Sequence, residues 1–197
     1  RIKNITVDFD SSVMTRYGQQ EGSKVGYNAS KPGRASHHPL MAFIAETRMV
    51  ANAWLRPGNT AALSNCKAFI DETFEILKDK KVGLIRADSG FYAHDFLTYL
   101  EQKQSPINYI ISVKLYPTIK QQLRSIKSWT KLKDGMEIAE FEYQSPEWNK
   151  PRRMVAVRKN IDVLPKSTGK LLLFDAPVGR YRYSLYVTNL DLPAEQI

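Results

Sequence analysis

The feature that most constrains the fold is a short apolar segment that ends in an acidic residue. Residues 82–85 form a brief apolar block with no helical period, which predicts a buried β-strand. Asp88 follows where this strand stops, and Phe96, Leu97 and Leu100 then recur at helical spacing. Asp88 therefore lies at a strand-to-helix junction. Residues at the carboxyl ends of strands in open α/β sheets line the crevice where ligands bind.

A second predicted strand, near the beginning of the chain, supplies candidate partners for Asp88. Apolar and polar side chains alternate along residues 5–10, so one face of this strand is apolar and the other carries Asp8 and Asp10. A carboxylate on a central strand is costly unless something pairs with it. Two carboxylates at the ends of neighbouring strands would make a pocket suited to a hard divalent cation.

The order of the predicted elements indicates an α/β fold. Residues 39–47 and 49–56 are two apolar runs with a very short connection, which is typical of an antiparallel hairpin. A polar segment at 59–65 leads into a helix that has Ser64 or Asn65 as its candidate cap and ends near residues 78–81, and a further apolar strand occupies 108–114. A hairpin followed by strand–helix–strand crossovers gives a mixed sheet with helices on its faces.

The pattern changes after residue 114. A basic amphipathic helix at 117–128 precedes four strand-like segments that have no helix between them. These segments are 136–143, 153–158, 171–174 and 181–189. This order predicts an antiparallel β unit inserted into the α/β domain. The predicted divisions are a first core part at 1–114, a basic helix with a β-rich insertion at 115–185, and a return to the core at 186–197.

Two polar features between the first strand and the hairpin invite a functional interpretation. The segment 17–28 has glycines at four-residue intervals, but the Lys-Ser/Thr ending of a P-loop is missing. We interpret this segment as an extended loop whose turns need glycine. His37 and His38 have no Cys or carboxylate at ligand spacing, so a loop or strand-start role is favoured over metal binding. We expect His94 to face solvent.

Composition sets the class of partner. The 197 residues carry a formal net charge of +9 and a sequence pI of about 9.6, which favours a polyanionic partner, most simply nucleic acid. A soluble basic surface is the alternative. Cys66 is the single cysteine, which excludes an intrachain disulfide and fits a reducing compartment. No apolar run approaches the roughly 18 residues of a membrane helix, and no signal peptide pattern begins the chain. Because the chain begins in a strand without Met, we expect a fragment.

The positive charge is concentrated in two stretches after residue 113. The first consists of Lys114, Lys120, Arg124, Lys127, Lys131 and Lys133, and the second of Lys150, Arg152, Arg153, Arg158 and Lys159. Both stretches suit DNA phosphates, and a solvated face is the alternative. Trp129 and Trp148 flank them and could stack on an unpaired base, although a packed core position is favoured for each.

A series of short motifs runs in order along nearly the whole chain. They are Asp8-Phe-Asp-Ser-Ser12, Tyr17-Gly18, Glu21-Gly22, Gly26-Tyr-Asn28, Lys31-Pro-Gly-Arg34, His38-Pro39, Arg56-Pro-Gly-Asn59, Arg86-Ala-Asp-Ser-Gly-Phe91 and Tyr186-Val-Thr-Asn189. Together they resemble DDE-type insertion-sequence transposases, in the group that has a ribonuclease-H-like catalytic domain with an inserted β domain. The resemblance implies the α/β class, with a ribonuclease-H-like mixed sheet flanked by helices and an antiparallel β insertion.

The resemblance also implies a catalytic site. The family's first catalytic aspartate ends the first strand and matches Asp10 before Ser-Ser, with Asp8 on the same face as the alternative. The second matches Asp88, for which capping of the following helix is the alternative role.

The family's third acidic residue is a glutamate on a helix after the β insertion, within a Tyr-Arg-…-Glu-Asn pattern that this chain lacks. Glu195 has no Tyr and Arg at that spacing, and Glu142 and Glu147 lie inside the predicted insertion. We therefore expect the third carboxylate beyond Ile197, outside this chain.

The implied activity is DNA strand cleavage and strand transfer that depends on Mg²⁺ or Mn²⁺, with two ions in the complete site and Asp10 and Asp88 as metal ligands. The implied partner is DNA, as transposon ends and target, bound by a homodimer on paired ends in the bacterial cytoplasm at the nucleoid, with no membrane role. The candidate DNA contacts are Arg34, Arg56, Lys120, Arg124, Lys127, Arg152 and Arg153. The alternatives are an inert DNA-binding remnant or truncated fragment, and a metal-dependent nuclease without joining activity.

Overall fold

The computed structural model of the protein describes residues 4–103, 105–160, 177–178 and 180–197. The chain forms two compact units, Arg1–Ile107 and Asn108–Ile197. The domain limits that the sequence suggests, at 114 and 185, stay a prediction. None of the helices in the described ranges is long and apolar enough to cross a membrane.

The first unit contains seven strands and two α-helices within its described residues. They are β1 Asn4–Ser11, β2 Met14–Thr15, β3 Lys24–Val25, β4 Ala35–His37, β5 Leu40–Ile44, β6 Met49–Trp54, α1 Cys66–Ile76, β7 Lys81–Ala87 and α2 His94–Glu101. A short 3-10 helix, Ser89–Phe91, connects β7 to α2.

The main sheet of this unit has the strand order β6-β5-β1-β7. The predicted hairpin is confirmed, because β5 and β6 are antiparallel neighbours joined by a turn in which Arg48 has a left-handed φ of 58°. Strand β1 is antiparallel to β5 and parallel to β7. The sheet is therefore mixed, as the sequence predicted.

The core lies on the apolar face of β1. Ile5, Val7 and Phe9 are at most 4% exposed, which confirms the alternation read from the sequence. The Phe9 ring packs against Phe69 of α1 at a centroid distance of 5.9 Å, and against Phe91 at 6.4 Å. Aromatic rings from β1, α1 and the 3-10 helix thus form one cluster under the sheet.

Both predicted helices of the first unit form. The expected residues Phe96, Leu97 and Leu100 of α2 are buried. Helix α1 begins at Cys66, after Asn65, which occupies the N-cap with a left-handed φ of 56° and makes no side-chain capping bond. The expected cap hydrogen bond is therefore absent in α1.

Strand β7 contains a bulge that affects its pairing with β1. Ile5 pairs with Val82, but Thr6 pairs with Leu84, so Gly83 is an extra residue. A Cβ at Gly83 would lie 2.1 Å from Asn4 Oδ1, so glycine fits here without moving that side chain. From Leu84 onward the pairing with β1 is regular to its last pair.

The segment between β1 and β5 contains a small sheet, and one of its strands, β3, lies within the extended loop expected at 17–28. Strands β2 and β3 pair with either edge of β4 in antiparallel fashion. Gly26 is needed for close approach and not for a turn, because a Cβ there would lie 2.0 Å from the backbone oxygen of Gly58. Gly22 does occupy a turn position, with a φ of +72°.

The second unit is mainly antiparallel. Its described elements are β8 Tyr109–Ser112, α3 Pro117–Ser125, β9 Thr130–Lys131, β10 Met136–Tyr143, β11 Arg152–Asn160, β12 Pro177–Val178 and β13 Tyr181–Thr188. The strand order is β8-β13-β11-β10-β9, with β12 paired to β13. The predicted basic helix forms as α3, with Ile119 and Leu123 buried. The predicted strand at 171–174 lies outside the described residues.

Candidate active site

Asp10 and Asp88 follow the last paired residues of two neighbouring parallel strands. Phe9 of β1 pairs with Ala87 of β7, and each aspartate is the next residue on its strand. Neighbouring strands lie about 4.8 Å apart, so the two aspartates lie side by side, while Asp10 still pairs with Met41 of β5. The backbone of Asp88 is extended, with φ −77° and ψ 178°, so the alternation of side chains continues to it. Both aspartates therefore lie on the face opposite Phe9, and both are half-buried.

Asp8 points to the same face but is occupied by a neighbour. Its register partner is Arg86, whose Nε donates to Asp8 Oδ1 at 2.6 Å and whose Nη2 donates to Oδ2 at 2.7 Å. Hydrogen bonding to Asp8 raises the pKa of Arg86 above its usual value. Because both oxygens of Asp8 bind this guanidinium, the geometry favours Asp10 over Asp8 as the partner of Asp88.

Short local contacts orient the two candidate carboxylates. Asp10 Oδ1 accepts a hydrogen bond from the backbone N–H of Ser11 at 2.8 Å, and its Oδ2 accepts one from the Ser12 hydroxyl at 2.7 Å. Asp88 Oδ1 accepts from the backbone N–H of Gly90 at 2.8 Å and caps the 3-10 helix. The capping role considered for Asp88 is therefore real, and it uses Oδ1 of the carboxylate.

Gly90 is fitted closely to Asp88. A Cβ at this position would lie 2.9 Å from Asp88 Oδ1 and 3.2 Å from Ala62 Cβ. A larger residue at position 90 would displace either the Asp88 carboxylate or the backbone at Ala62. The Ser-Gly dipeptide after Asp88 thus has a packing reason.

A buried arginine, which the sequence did not identify as structural, holds the end of β1. Arg56 is 5% exposed. Its Nε donates to His38 O at 3.1 Å, and its Nη2 donates to Ser11 Oγ at 2.8 Å. Its Nη1 lies within 3.2 Å of three further backbone oxygens, those of Ala61, Ala62 and Ser64. Burial lowers the pKa of Arg56. The guanidinium is turned into the fold, which goes against the predicted DNA contact for Arg56.

The two adjacent histidines also serve the backbone. His38 has its ring nitrogens 2.6 Å from Thr60 O and 3.1 Å from Ser11 O, so it supports the same end of β1. His37 lies in β4, accepts from Arg16 Nε at 2.9 Å through Nδ1, and donates to Glu21 O through Nε2. These contacts agree with the strand role favoured over metal binding.

His94 departs from expectation, because it begins α2 half-buried rather than facing solvent.

The predicted DNA contacts separate by exposure. Arg34, Arg124 and Lys127 are exposed, and Lys120 is half-buried. Arg152 is 4% exposed and stacks over the Trp148 ring at 4.7 Å, so it is an interior residue of the second unit. Burial thus goes against a phosphate contact for Arg152.

Arg153 is engaged within the second unit as well. Its Nη2 lies 2.5 Å from Glu140 Oε2, and its Nη1 donates to Leu190 O at 2.7 Å. The packed position favoured for the tryptophans is confirmed for Trp148, which is 7% exposed. Trp129 is half-buried, with the guanidinium of Arg158 over its ring at 4.1 Å.

The described residues hold no group of three or more His, Cys, Asp or Glu side chains that could bind a metal ion. Glu142 lies in β10, and Glu195 lies in the 3-10 helix Ala194–Gln196, which Pro193 caps. The donor set of the site is thus a pair of carboxylates, Asp10 and Asp88. Carboxylate oxygen is the ligand type that hard divalent cations prefer, so this pair fits part of such a site.

Comparison with known proteins identifies the class. A profile of the family described as transposase DDE domain group 1 matches residues 1–165. The chain therefore belongs to the DDE transposase domain family, as the motifs indicated, and members of this family generally use divalent metal ions.

Comparison with solved structures supports the fold. The chain is similar to piggyBac transposase, determined by cryo-EM in a synaptic complex with hairpin DNA, with a TM-score of 0.52 and 14% identity. The match covers 95% of this chain and 34% of that one, so the chain spans about a third of that protein's length. The predicted ribonuclease-H-like α/β fold is thereby confirmed. No curated protein sequence matches the chain significantly.

Proposed function

We propose that this chain is part of the catalytic domain of a DNA transposase, with Asp10 and Asp88 as its first two catalytic carboxylates. The observation that carries the proposal is the register of β1 and β7, which brings the two aspartates to adjacent positions at one edge of the sheet. The pairing of Asp8 with Arg86 supports the choice of Asp10.

Asp10 and Asp88 would hold Mg²⁺ or Mn²⁺, with a third carboxylate supplied from outside this chain. When bound, two such ions activate an attacking oxygen and stabilise the leaving oxygen of a phosphodiester. The chain's own residues orient the carboxylates: Ser11 and Ser12 donate hydrogen bonds to Asp10, and Gly90 donates one to Asp88. The buried Arg56 fixes Ser11 and so positions Asp10.

The proposed partner is DNA. The net charge of +9 and the exposed cations Arg34, Arg124 and Lys127 support contacts with phosphates. The proposal also includes a homodimer bound to paired transposon ends. It places the protein in the cytoplasm of a bacterium, at the nucleoid.

The test compares three aspartates on one face of the sheet, Asp8 and Asp10 of β1 and Asp88 after β7. In the full-length protein, Asp10→Asn and Asp88→Asn should each lower Mg²⁺-dependent cleavage of a transposon-end DNA on the order of 1,000-fold, because each removes a metal ligand. Asp8→Asn is the matched control and should retain cleavage within a few fold. Normal cleavage by either of the first two variants would contradict the proposal, and loss in Asp8→Asn alone would assign the site to Asp8.

A second candidate is a catalytically inert DNA-binding fragment. It is favoured by the donor set, which contains two carboxylates and no third within the described residues. Cleavage by the 197-residue chain alone, measured beside the full-length protein, separates the two. A joining assay on a 3′-hydroxyl substrate then distinguishes a transposase from a nuclease that only cuts.

A further inference from the structure

Exposed apolar side chains are concentrated in the small sheet that follows β1. Tyr17 is 73% exposed, Tyr27 68%, Val25 60% and Met14 43%. Isolated exposed apolar residues are ordinary on a protein surface, but a concentration of them marks an interaction site. Two tyrosines within eleven residues give this surface broad aromatic faces.

The same segment is strongly cationic. Residues 13–37 contain Arg16, Lys24, Lys31 and Arg34, against one carboxylate, Glu21. Lys24, Lys31 and Arg34 are exposed, and the Arg34 guanidinium lies over the Tyr17 ring at 5.7 Å from its centroid. Exposed aromatic faces combined with cations are the features with which proteins bind unpaired nucleic-acid strands, since bases stack on the rings and phosphates meet the cations.

The tyrosines are carried by an ordered scaffold. Asn28 is 5% exposed, donates to Thr15 Oγ1 at 2.8 Å and accepts from the backbone N–H of Lys31 at 2.9 Å. The close approach of Gly26 to Gly58 fixes the neighbouring turn. Such a scaffold lowers the conformational entropy lost when a base stacks on the rings.

The scaffold is also tied to the candidate active site. Strand β1 ends at Ser11, and β2 begins at Met14. Tyr17 is seven positions after Asp10 in the chain, which limits the distance between their Cα atoms to about 25 Å. A DNA strand whose scissile phosphate lies at Asp10 can therefore reach Tyr17 within a few nucleotides.

We propose that Tyr17 and Tyr27, with Arg34, Lys31 and Lys24, form a stacking platform that binds unpaired bases of the DNA strand next to the cleavage position. This proposal rests on the proposed function, because it places the platform beside a DNA cleavage site. A protein partner fits less well, since charged groups are depleted from the centres of protein interfaces, whereas here cations adjoin the tyrosines.

The test measures binding without cleavage. Full-length protein carrying Asp10→Asn, in buffer without divalent cations, is titrated with duplex DNA of a transposon end and with the same DNA bearing a single-stranded overhang that contains 2-aminopurine. Tyr17→Leu combined with Tyr27→Leu should weaken overhang binding by about 10- to 100-fold, from loss of one or two stacked bases, and change duplex binding by less than about threefold. The quenching of 2-aminopurine should be lost in parallel.

Two variants serve as controls. Tyr17→Phe combined with Tyr27→Phe keeps the aromatic faces and should retain overhang binding and quenching. Tyr116→Leu removes a tyrosine that is 48% exposed elsewhere in the chain and should change neither.

Two binding results would overturn the platform: unchanged overhang affinity in the leucine variant, or an equal loss of affinity for duplex and overhang DNA. A third would be loss of a dimer in sedimentation without loss of overhang binding. That result would make the surface a contact between copies of this chain. The outcome is independent of catalysis. If Asp10→Asn and Asp88→Asn are fully active in cleavage, the proposed function is wrong. The platform is still tested separately, by the measurement of overhang binding.

Discussion

The two ends of β7 make the most informative comparison in the first unit. At its carboxyl end the strand leads to Asp88, beside Asp10. At its amino end Lys81 borders a cavity of about 670 Å³ that is also lined by Lys78, Lys80 and Lys103. The seven residues of β7 thus connect a basic amino end to an acidic carboxyl end.

Local requirements account for much of the basic end. Lysines after the last turn of α1 suit the negative end of the helix dipole. Lys103 Nζ lies 2.6 Å from Asp71 Oδ1 and over the ring of Tyr99 at 4.7 Å. Burial works against the charge on Lys103, but the hydrogen bonds to Asp71 and Tyr99 prevail and raise its pKa. At the acidic end Asp88 caps the 3-10 helix, but a second carboxylate, Asp10, on the adjacent strand is unfavourable because like charges repel, and this arrangement points to function there.

The largest expected difference between the two ends is in metal binding. Mn²⁺ at 100 times its Kd should stabilise the full-length protein by about 2.7 kcal/mol, read as a rise in melting temperature. Asp88→Asn should abolish this rise, whereas Lys80→Gln combined with Lys81→Gln should leave it unchanged. An equal rise in the Asp88→Asn protein would remove the functional distinction between the ends.

Cys66 tests the packing at the first turn of α1, the helix that precedes the basic end. Burial raises the pKa of its thiol to about 12, although Arg56 acts in the opposite direction. At pH 8.5 the folded protein should therefore react with a thiol reagent on the order of 1,000-fold more slowly than the unfolded chain, because the thiolate is the nucleophile. The stability from this neutral thiol is complete below the unfolded pKa, near 9, and is lost as the pH rises toward 12. Rapid labelling of the native protein would show that this turn opens.

Gly90→Ala should lower DNA cleavage by moving the Asp88 carboxylate while leaving its charge in place. The new Cβ would meet Asp88 Oδ1 at 2.9 Å and displace a carboxylate that must be positioned closely, so we expect cleavage to fall by about 10- to 100-fold. Gly18→Ala is the matched control, because nothing lies within 4 Å of its Cβ. Cleavage rates and melting temperatures of both variants separate misplacement from unfolding, and full activity of Gly90→Ala would mean that Asp88 tolerates the shift.

The smallest effect is expected at the Asp8–Arg86 pair. Both side chains are partly exposed, at 35% and 49%, so Arg86→Gln should cost about 0.2–1 kcal/mol in urea unfolding. The loss should shrink at high salt. A loss of unfolding free energy well above 1 kcal/mol would show that the ion pair stabilises the pairing of β1 with β7, in addition to binding the oxygens of Asp8.

Periodicity carried the sequence analysis, and contacts distant in sequence limited it. The alternation at Ile5, Val7 and Phe9 and the helical spacing of α2 are local patterns, so both elements were predicted. The small sheet was missed because strands of two residues have no period. Its glycines act through contacts such as Gly26 with Gly58, which no local pattern reveals.

The candidate site was predicted in part for the same reason. The strand ends identified Asp88 and left Asp8 and Asp10 as alternatives, because the choice needs the register that joins Asp8 to Arg86. The buried position of Arg56 was not predicted, since the carbonyl oxygens that surround its guanidinium come from His38 and from residues 61–64, which no local pattern connects.

The bulge at Gly83 separates the structural constraints on the two ends of β7. Because the extra residue lies upstream of the regular pairs that run from Thr6 to Phe9, deleting it would make the pairing regular from residue 81 onward and leave residues 84–88 in place. Insertions or deletions of one residue near the lysines can therefore be accommodated at the bulge, so the pairing that aligns Asp10 with Asp88 is preserved. The basic end of this strand is free to diverge in length while the acidic end keeps its alignment.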